Sequence, residues 1–286
     1  MPTPLALLVF LGSLGLTLVA AGFFADRLDH LGARLGLPEA LVGLLTALAA
    51  DAPELSSAVV ALIRGEKEVS LGVVLGSNTF NLAAMVGVSA VLTGVVRIER
   101  QPLAIEGVVS IAATVVAAAL ILGLLSAPVA MALFGVVATA YVALVVRSSE
   151  RHRGHAREGT VGSSAALIVA AVALIVVGAA GMVRSALVLA DRWHVPVAVV
   201  GVVVLAVLTS LPNAFTAVRL GLVGRGGALV SETLASNTIN LVGGVIVPAL
   251  AVGLAARSGL VEFNLAWVLL MSIACVALLA RPVGLG

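Results

Sequence analysis

The feature that most constrains this chain is a polar motif that occurs twice inside apolar segments. Asp51-Ala-Pro-Glu54 with Ser77-Asn-Thr-Phe-Asn81 is matched by Ser210-Leu-Pro-Asn213 with Ser236-Asn-Thr-Ile-Asn240. The second copy lies 159 residues after the first, without a gap. Because carboxylates, amides and prolines are costly inside hydrocarbon, a matching set in two places indicates one site built from two copies of a unit.

Composition excludes a soluble globular protein. The chain has 286 residues, of which 61% are hydrophobic and 10% are charged, and its mean hydropathy is +1.22. Apolar runs of roughly 20 residues, each long enough to span the hydrocarbon core as a helix, alternate with short charged connections. We therefore expect an all-α polytopic membrane protein. The net charge of +2 is spread over the loop ends, so we expect no nucleic-acid partner.

Hydropathy predicts about nine transmembrane helices. They cover residues 4–24, 38–63, 69–94, 104–124, 128–147, 164–190, 196–222, 228–255 and 260–280. The longest polar connection, 148–162, is basic and separates a first repeat, 1–147 with its motif at 50–81, from a second repeat, 163–286 with its motif at 209–240. Because an odd number of spans precedes this connection, the two motifs enter the membrane from opposite sides, which predicts an inverted repeat.

The distribution of Lys and Arg predicts the orientation. If the N-terminus is outside, most of the 16 Lys and Arg residues lie on the cytoplasmic side, and the connection 148–162 is cytoplasmic. The basic residues on the outer side are then Arg64, Lys67, Arg184, Arg192 and Arg257. Since basic residues resist translocation, we expect the C-terminus to be cytoplasmic and the membrane to be a plasma membrane of bacterial type.

Two acids and two prolines carry the chemistry. Asp51 and Glu54 lie well inside a span and, three residues apart, share a helical face. Pro53 cannot donate to the Ala49 carbonyl, so we expect backbone oxygens near residues 47–50 to become free. In the second repeat, Pro212 has the same effect on the oxygens near residues 206–209. Asp51 could ligate an ion, carry a proton, or pair with a polar group on a facing helix.

The amides and hydroxyls of the two motifs complete a set of oxygen ligands. These side chains are Ser77, Asn78, Asn81, Thr209, Ser210, Ser236, Asn237 and Asn240. Hard cations prefer carboxylate, amide, hydroxyl and carbonyl oxygens. The alternative is that small polar residues such as Ser56, Ser57 and Thr79 only hold membrane helices together.

Other ionisable residues are expected to be structural. The four histidines fall in connections and Cys275 is the single cysteine, so the sequence offers little support for a zinc site, and we expect no cofactor. Glu106 and Glu232 lie near predicted helix starts, where we expect them to interact with the helix dipole.

The paired motifs resemble the α-repeats of the Ca²⁺/cation antiporter superfamily, which includes the Na⁺/Ca²⁺ exchangers and has patterns of the type G-T-S-x-P-E and G-S-N-x-x-N. The resemblance implies ten helices in two inverted five-helix halves, with helices 2, 3, 7 and 8 around the ions. With nine spans predicted, we expect the last of the ten to be missing here. It implies that the ligands are Glu54, Ser77, Asn81, Thr209, Asn213, Ser236 and Asn240, with the carbonyls of Ala47 and Ala206. Asp51 joins this set as a second acid.

The chain also departs from the family pattern. Asn213 stands where such exchangers place a second glutamate, Asn240 where some place an acid, and Ala50-Asp51 where Thr-Ser is usual. If Asp51 and Glu54 both ionise, two carboxylates oppose a divalent ion. If their proximity keeps one protonated, the site favours Na⁺ or a proton-coupled monovalent ion.

These features predict a secondary active antiporter that moves Ca²⁺ or another cation against Na⁺ or H⁺ by alternating access. The expected partners are inorganic cations and the lipid bilayer, and the oligomeric state is left open. The alternatives are a monovalent cation/proton exchanger and a degenerate family member that does not transport. A channel and an intramembrane enzyme are less favoured, because the halves differ in charge and the spans contain neither a second aspartate on another helix nor a serine with a nearby histidine.

Overall fold

All secondary structure in the described residues is helical, which confirms the predicted fold class. The structure is a computed structural model, and it describes residues 1–34, 47–94, 100–149, 161–222, 226–253 and 258–281. The helices of the first repeat are α1 (Thr3–Arg34), α2 (Ala52–Ile63), α3 (Lys67–Asn81), π1 (Leu82–Val88), α4 (Ser89–Thr93), α5 (Arg100–Ile121) and α6 (Ala127–Ser149). The second repeat contains α7 (Val161–Trp193), α8 (Val197–Val199), π2 (Val200–Leu205), α9 (Ala206–Thr209), α10 (Leu211–Leu222), α11 (Gly226–Leu241), π3 (Val242–Ile246), α12 (Val247–Val252) and α13 (Gly259–Leu279).

The described helices follow the predicted spans. Six of them are long and apolar enough to cross a membrane by length and composition, and three shorter apolar helices accompany them. The beginning of the predicted span 38–63 and the end of the span 228–255 lie outside the described residues, as does most of the connection 148–162. The repeat boundaries therefore stay a prediction.

Two helices break at matching positions, where the prolines predicted an opening. Residues 47–50 are helical, Asp51 is a turn with φ −82° and ψ −6°, and α2 follows. In the second repeat, α9 ends at the turn residue Ser210, with φ −85° and ψ −1°, and α10 follows. Each proline lies two residues after the turn, where its missing N–H removes a helical hydrogen bond. The breaks place Asp51 and Ser210 at equivalent corners of the two repeats.

Two π-helical segments also lie at matching positions in the two repeats. π1 directly follows Asn81 and π3 begins two residues after Asn240. Nothing in the sequence predicted these segments. π-Helical turns inside α-helices are frequent at functional sites, and here they follow the last asparagine of each motif.

Close packing between the repeats is made possible by a Gly-x-x-x-Gly motif in α3. A Cβ atom on Gly76 would lie 2.5 Å from the Val202 carbonyl oxygen and 2.7 Å from the Ala206 Cβ, and one on Gly72 would lie 3.0 Å from the Val202 nitrogen. Small residues at this spacing let two helical backbones approach closely. As a result, α3 lies against π2 and α9, and Ser77 is brought next to Ala206.

The repeats are also interleaved around the centre. α11 packs against α5 of the first repeat, and α3 packs against α13 of the second. α3 is deeply enclosed, because every residue from Val69 to Asn78 is buried. The polar motif residues therefore meet inside the bundle.

Candidate cation-binding site

The polar residues of both motifs form one buried cluster. Asp51 and Glu54 have no exposed surface, although both are carboxylic acids. The other members, each at most 1% exposed, are Ser77, Asn78, Asn81, Thr209, Ser210, Asn213, Ser236, Asn237 and Asn240. None of these side chains lies on the outer surface of the bundle, so all of them are buried polar groups that need partners inside it. Burying carboxylates requires compensating partners or a bound cation.

Asp51 bonds to two residues of the second repeat. Its Oδ1 atom accepts a hydrogen bond from Ser236 Oγ at 2.6 Å and from Asn213 Nδ2 at 2.7 Å. Of the three roles left open for Asp51, pairing with polar groups on facing helices is therefore observed. Its other oxygen, Oδ2, has no hydrogen-bond partner among the described residues.

Glu54 is held in the same way. Its Oε1 atom accepts from Ser210 Oγ at 2.8 Å and from Asn213 Nδ2 at 3.3 Å. The amide nitrogen of Asn213 thus bridges both carboxylates. Within the described part of the chain, Glu54 Oε2 lacks a hydrogen-bond partner. Among the described residues, each acid is thus anchored through one oxygen, and its other oxygen is available to ligate an ion.

The serines and asparagines of α3 and α11 differ in how they pair. Asn81 Nδ2 donates to Ser236 Oγ at 3.0 Å, and Ser236 in turn donates to Asp51. Ser77 Oγ donates to the Ala206 carbonyl oxygen at 3.5 Å, which is at the limit of a hydrogen bond. Neither amide atom of Asn240 has a partner among the described residues.

The backbone carbonyls predicted as ligands take part in helical hydrogen bonds. The Ala47 oxygen accepts from the Asp51 N–H at 2.9 Å, and the Ala206 oxygen accepts from the Ser210 N–H at 3.1 Å. The expectation that these two oxygens are freed is therefore wrong. The prolines remove the donors for Ala49 and Leu208 instead, because the missing N–H is four residues further on. A carbonyl has two lone pairs, so the Ala47 oxygen can still ligate an ion. The Ala206 oxygen also accepts from the Ser77 and Thr209 hydroxyls, and one of these donors would have to turn away for it to ligate.

Thr209 also bonds to its own helix. Its hydroxyl donates to the Leu205 oxygen at 2.9 Å and reaches the Ala206 oxygen at 3.3 Å. A hydroxyl that donates backwards keeps its oxygen lone pairs available. The side chain is fully buried and adjoins the turn at Ser210.

Buried acceptors without donors are concentrated in this cluster. The oxygens of this cluster without a partner in the described ranges are Asp51 Oδ2, Glu54 Oε2, Asn78 Oδ1, Asn81 Oδ1, Asn213 Oδ1, Asn237 Oδ1 and Asn240 Oδ1. Most buried polar atoms in proteins are satisfied, so a group of unpaired oxygens needs an explanation. Carboxylate and amide oxygens are ligands of hard cations, and a cation would satisfy them together. The described residues contain no cluster of three or more His, Cys, Asp or Glu side chains, so amides and hydroxyls would have to supply most ligands.

Ser110 and Thr114 of α5 belong to the polar network and were missed from the sequence. Asn237 Nδ2 donates to Ser110 Oγ at 2.6 Å and to Thr114 Oγ1 at 3.3 Å. Asn78 Nδ2 donates to the Asn237 carbonyl oxygen at 3.3 Å, which links the matching asparagines of the two repeats. The available signal was the four-residue spacing of two hydroxyls on one face of an apolar span.

The expectation for Glu106 and Glu232 is wrong. α5 begins at Arg100 and α11 at Gly226, and neither helix has an acid in its first turn. The hydropathy boundary set the start of α5 too late, which placed Glu106 in the first turn of the predicted helix but not of the observed one. Both side chains are partly buried, and Glu106 Oε2 and Glu232 Oε1 have no hydrogen-bond partner among the described residues.

Sequence relatives cover part of the chain. CaxA of Alkalimonas amylolytica is 32% identical over 84 residues, which are 28% of this chain and 26% of CaxA. The sodium/calcium exchanger MaX1 of Methanosarcina acetivorans is 35% identical over 83 residues, which are 28% of this chain and 24% of MaX1. The matched segments therefore span about a quarter of these relatives.

Solved structures share the fold over almost the whole chain. The sodium-calcium exchanger NCX_Mj has a TM-score of 0.62 at 20% identity, covering 99% of this chain and 94% of that one. The H⁺/Ca²⁺ exchanger CAX has a TM-score of 0.75 at 17% identity, covering 96% of this chain and 76% of that one. At these identities the likeness establishes the fold alone.

A family model supplies the assignment. The model described as "Sodium/calcium exchanger protein" matches residues 5–149 and 163–283, which together contain both motifs and all the helices around the site. The chain is an integral membrane protein and belongs to the sodium/calcium exchanger protein family.

Proposed function

We propose that this protein is a secondary active antiporter that moves Ca²⁺ or another cation against Na⁺ or H⁺ by alternating access. The observation that carries the proposal is the cluster of unpaired buried oxygens around Glu54 and Asp51. Its family consists of cation exchangers, and the names of MaX1 and CAX give Na⁺ and H⁺ as exchange partners of Ca²⁺ in those proteins. No cofactor and no enzymatic step are needed for this function.

The proposed cation ligands come from both repeats. They are Asp51, Glu54, Ser77, Asn81, Thr209, Asn213, Ser236 and Asn240, with the carbonyl oxygens of Ala47 and Ala206. Asp51 and Glu54 supply negative charge, and the amide and hydroxyl oxygens replace the water shell of the ion. The unpaired oxygens of Asp51, Glu54 and Asn213 could ligate the ion while their other atoms keep the hydrogen bonds between the repeats.

Alternating access follows from the proposed repeat organisation. If 1–147 and 163–286 are inverted copies joined by a cytoplasmic connection, a site between them can open to either side by a relative movement. We further propose a plasma membrane of bacterial type, with the N-terminus outside and the C-terminus in the cytoplasm, because most Lys and Arg residues then lie inside.

A monovalent cation/proton exchanger is the second candidate. Asn213 supports it, because this position of the second repeat holds a neutral amide where its counterpart in the first repeat is Glu54. A degenerate family member that binds but does not transport would share this feature. Measurement of ion flux separates all three possibilities.

Glu54→Gln is the variant that tests the proposal. The change keeps the shape of the side chain and removes the charge, and we expect cation exchange to fall by roughly 100-fold or more, since a buried charge is poorly screened. The protein is reconstituted into proteoliposomes, and fluxes of Ca²⁺, Na⁺ and H⁺ are followed under imposed Na⁺ and pH gradients.

Glu262→Gln is the matched control. Glu262 is an exposed carboxylate in α13, and its neutralisation should leave exchange unchanged. Unaltered exchange in Glu54→Gln would refute the site. Electrogenic cation flux with no counter-ion present would instead indicate a channel.

A further inference from the structure

The two repeats contribute charge unequally, although their side chains meet at one point. The repeat relation maps Asp51 onto Ser210 and Glu54 onto Asn213, so both acids of the cluster come from the first repeat. Asn213 Nδ2 nevertheless lies 2.7 Å from Asp51 Oδ1 and 3.3 Å from Glu54 Oε1. The end of the residue 213 side chain is therefore next to both carboxylates.

This contact makes positions 51 and 213 geometrically equivalent as sources of charge. Asn and Asp have the same shape, so an aspartate at 213 would place an oxygen where Asn213 Nδ2 now lies. With Asn at 51, the 2.7 Å contact would persist with donor and acceptor exchanged. The 3.3 Å contact to Glu54 Oε1 would then join two carboxylate oxygens, which a bound cation would bridge. The second carboxylate would then come from the twofold counterpart of Glu54.

We propose that Asp51 determines the cargo of the site, by supplying in the first repeat the second carboxylate that the second repeat lacks, and that this cargo is a divalent cation. The inference rests on the proposed cation antiport and adds to it the class of ion. Its central statement is that the number of carboxylates sets selectivity, whereas their distribution between positions 51 and 213 does not.

The neighbouring groups leave the two charges for an ion to neutralise. All side-chain hydrogen bonds observed to the two carboxylates in the described residues come from neutral groups, namely Ser210, Asn213 and Ser236. Neutral donors orient a carboxylate without cancelling its charge. One oxygen of each acid also remains unpaired within the described ranges. Two such charges in a weakly screened interior favour a dication over a monovalent ion.

The test is a double-mutant cycle of isosteric changes at the two positions. Asp51→Asn leaves one carboxylate, the native protein and the Asp51→Asn/Asn213→Asp swap have two, and Asn213→Asp alone has three. Each protein is reconstituted, and Ca²⁺ competition against Na⁺ is measured by binding and by flux. A cycle is informative here because the two side chains are in direct contact.

We expect Asp51→Asn to lower the preference for Ca²⁺ over Na⁺ by roughly 100-fold, because a full charge is lost at contact distance. The swap should restore the preference to within roughly tenfold of the native protein, which is about the uncertainty of a single contact energy. Asn213→Asp alone should retain the preference for Ca²⁺. A swap that behaves like Asp51→Asn, or a native protein that prefers Na⁺, would overturn the inference.

Folding is checked by thermal unfolding of each variant in detergent with and without Ca²⁺. If the swap does not accumulate, Asp51→Ser/Asn213→Glu carries the same number of charges and is judged by the same criterion. The outcome is separable from that of the proposed function, which Glu54→Gln tests. If exchange depends on Glu54 but neither double variant restores the preference for Ca²⁺ over Na⁺, this inference alone is wrong. If the native protein shows no exchange at all, the proposed function is wrong as well.

Discussion

The first repeat supplies the charge of the site and the second repeat holds it in place. Asp51 and Glu54 accept hydrogen bonds from three side chains of the second repeat, Ser210, Asn213 and Ser236. The positions equivalent to the two acids are a hydroxyl and an amide. A duplicated scaffold has thus kept its geometry while its two halves have taken different chemical roles.

The hydrogen bonds of the central serines show the same difference. Asn81 of the first repeat donates to Ser236 of the second at 3.0 Å. The equivalent pair, Asn240 and Ser77, is not formed: Ser77 donates to the Ala206 oxygen at 3.5 Å, and Asn240 has no partner among the described residues. One side of the twofold relation is closed by protein contacts, and the other leaves its polar atoms available to an ion.

Gly76 and its counterpart Ala235 give the largest expected effect on stability. Ala235 already carries a Cβ atom, whereas a Cβ on Gly76 would lie 2.5 Å from the Val202 oxygen. Gly76→Ala should therefore destabilise the protein by about 3 kcal/mol, the cost of overpacking a tight contact. Ala235→Gly should cost only about 1 kcal/mol from added backbone freedom. Thermal unfolding in detergent compares them, and equal shifts would show that the close approach of α3 and π2 is wrong.

Ser236 and Ser77 test the asymmetry of hydrogen bonding. Ser236→Ala removes a 2.6 Å bond to Asp51 and the acceptor of Asn81, which should cost about 2 kcal/mol in cation binding. Ser77→Ala loses only a 3.5 Å contact and should have a smaller effect, unless the hydroxyl ligates the ion directly. Isothermal titration with Ca²⁺ measures both. A larger loss of Ca²⁺ affinity in Ser77→Ala than in Ser236→Ala would show that the Asn81–Ser236 pair is not the side closed by protein contacts.

Ser110 gives the smallest expected effect. It accepts from Asn237 Nδ2 at 2.6 Å, and Thr114 offers a second acceptor at 3.3 Å. Ser110→Ala should cost about 1 kcal/mol, because the amide keeps one partner. Exchange at limiting Ca²⁺ should fall while exchange at saturating Ca²⁺ changes little, and Ser110→Thr should restore it. An unchanged concentration dependence would show that Asn237 needs no anchor on α5.

The sequence was sufficient to predict the elements but not their contacts. Hydropathy and the two prolines located the helices and the breaks beside Asp51 and Ser210, because both signals are local. The bond between Asp51 and Asn213 crosses 162 residues and depends on how the repeats pack. No local signal in the sequence predicted π1 and π3. The freed carbonyl of Ala47 was a wrong expectation because only the residue four before each proline loses its donor.

In the proposed mechanism, buried oxygens from both repeats bind one cation around Glu54. The most direct measurement is the anomalous diffraction of crystals soaked in Sr²⁺, a heavier stand-in for Ca²⁺. We predict a peak within about 3 Å of a Glu54 carboxylate oxygen, close to the Ca²⁺–oxygen range, with further ligands from the second repeat. Ordered crystals with no peak at this position, or with a peak coordinated by one repeat alone, would contradict the account.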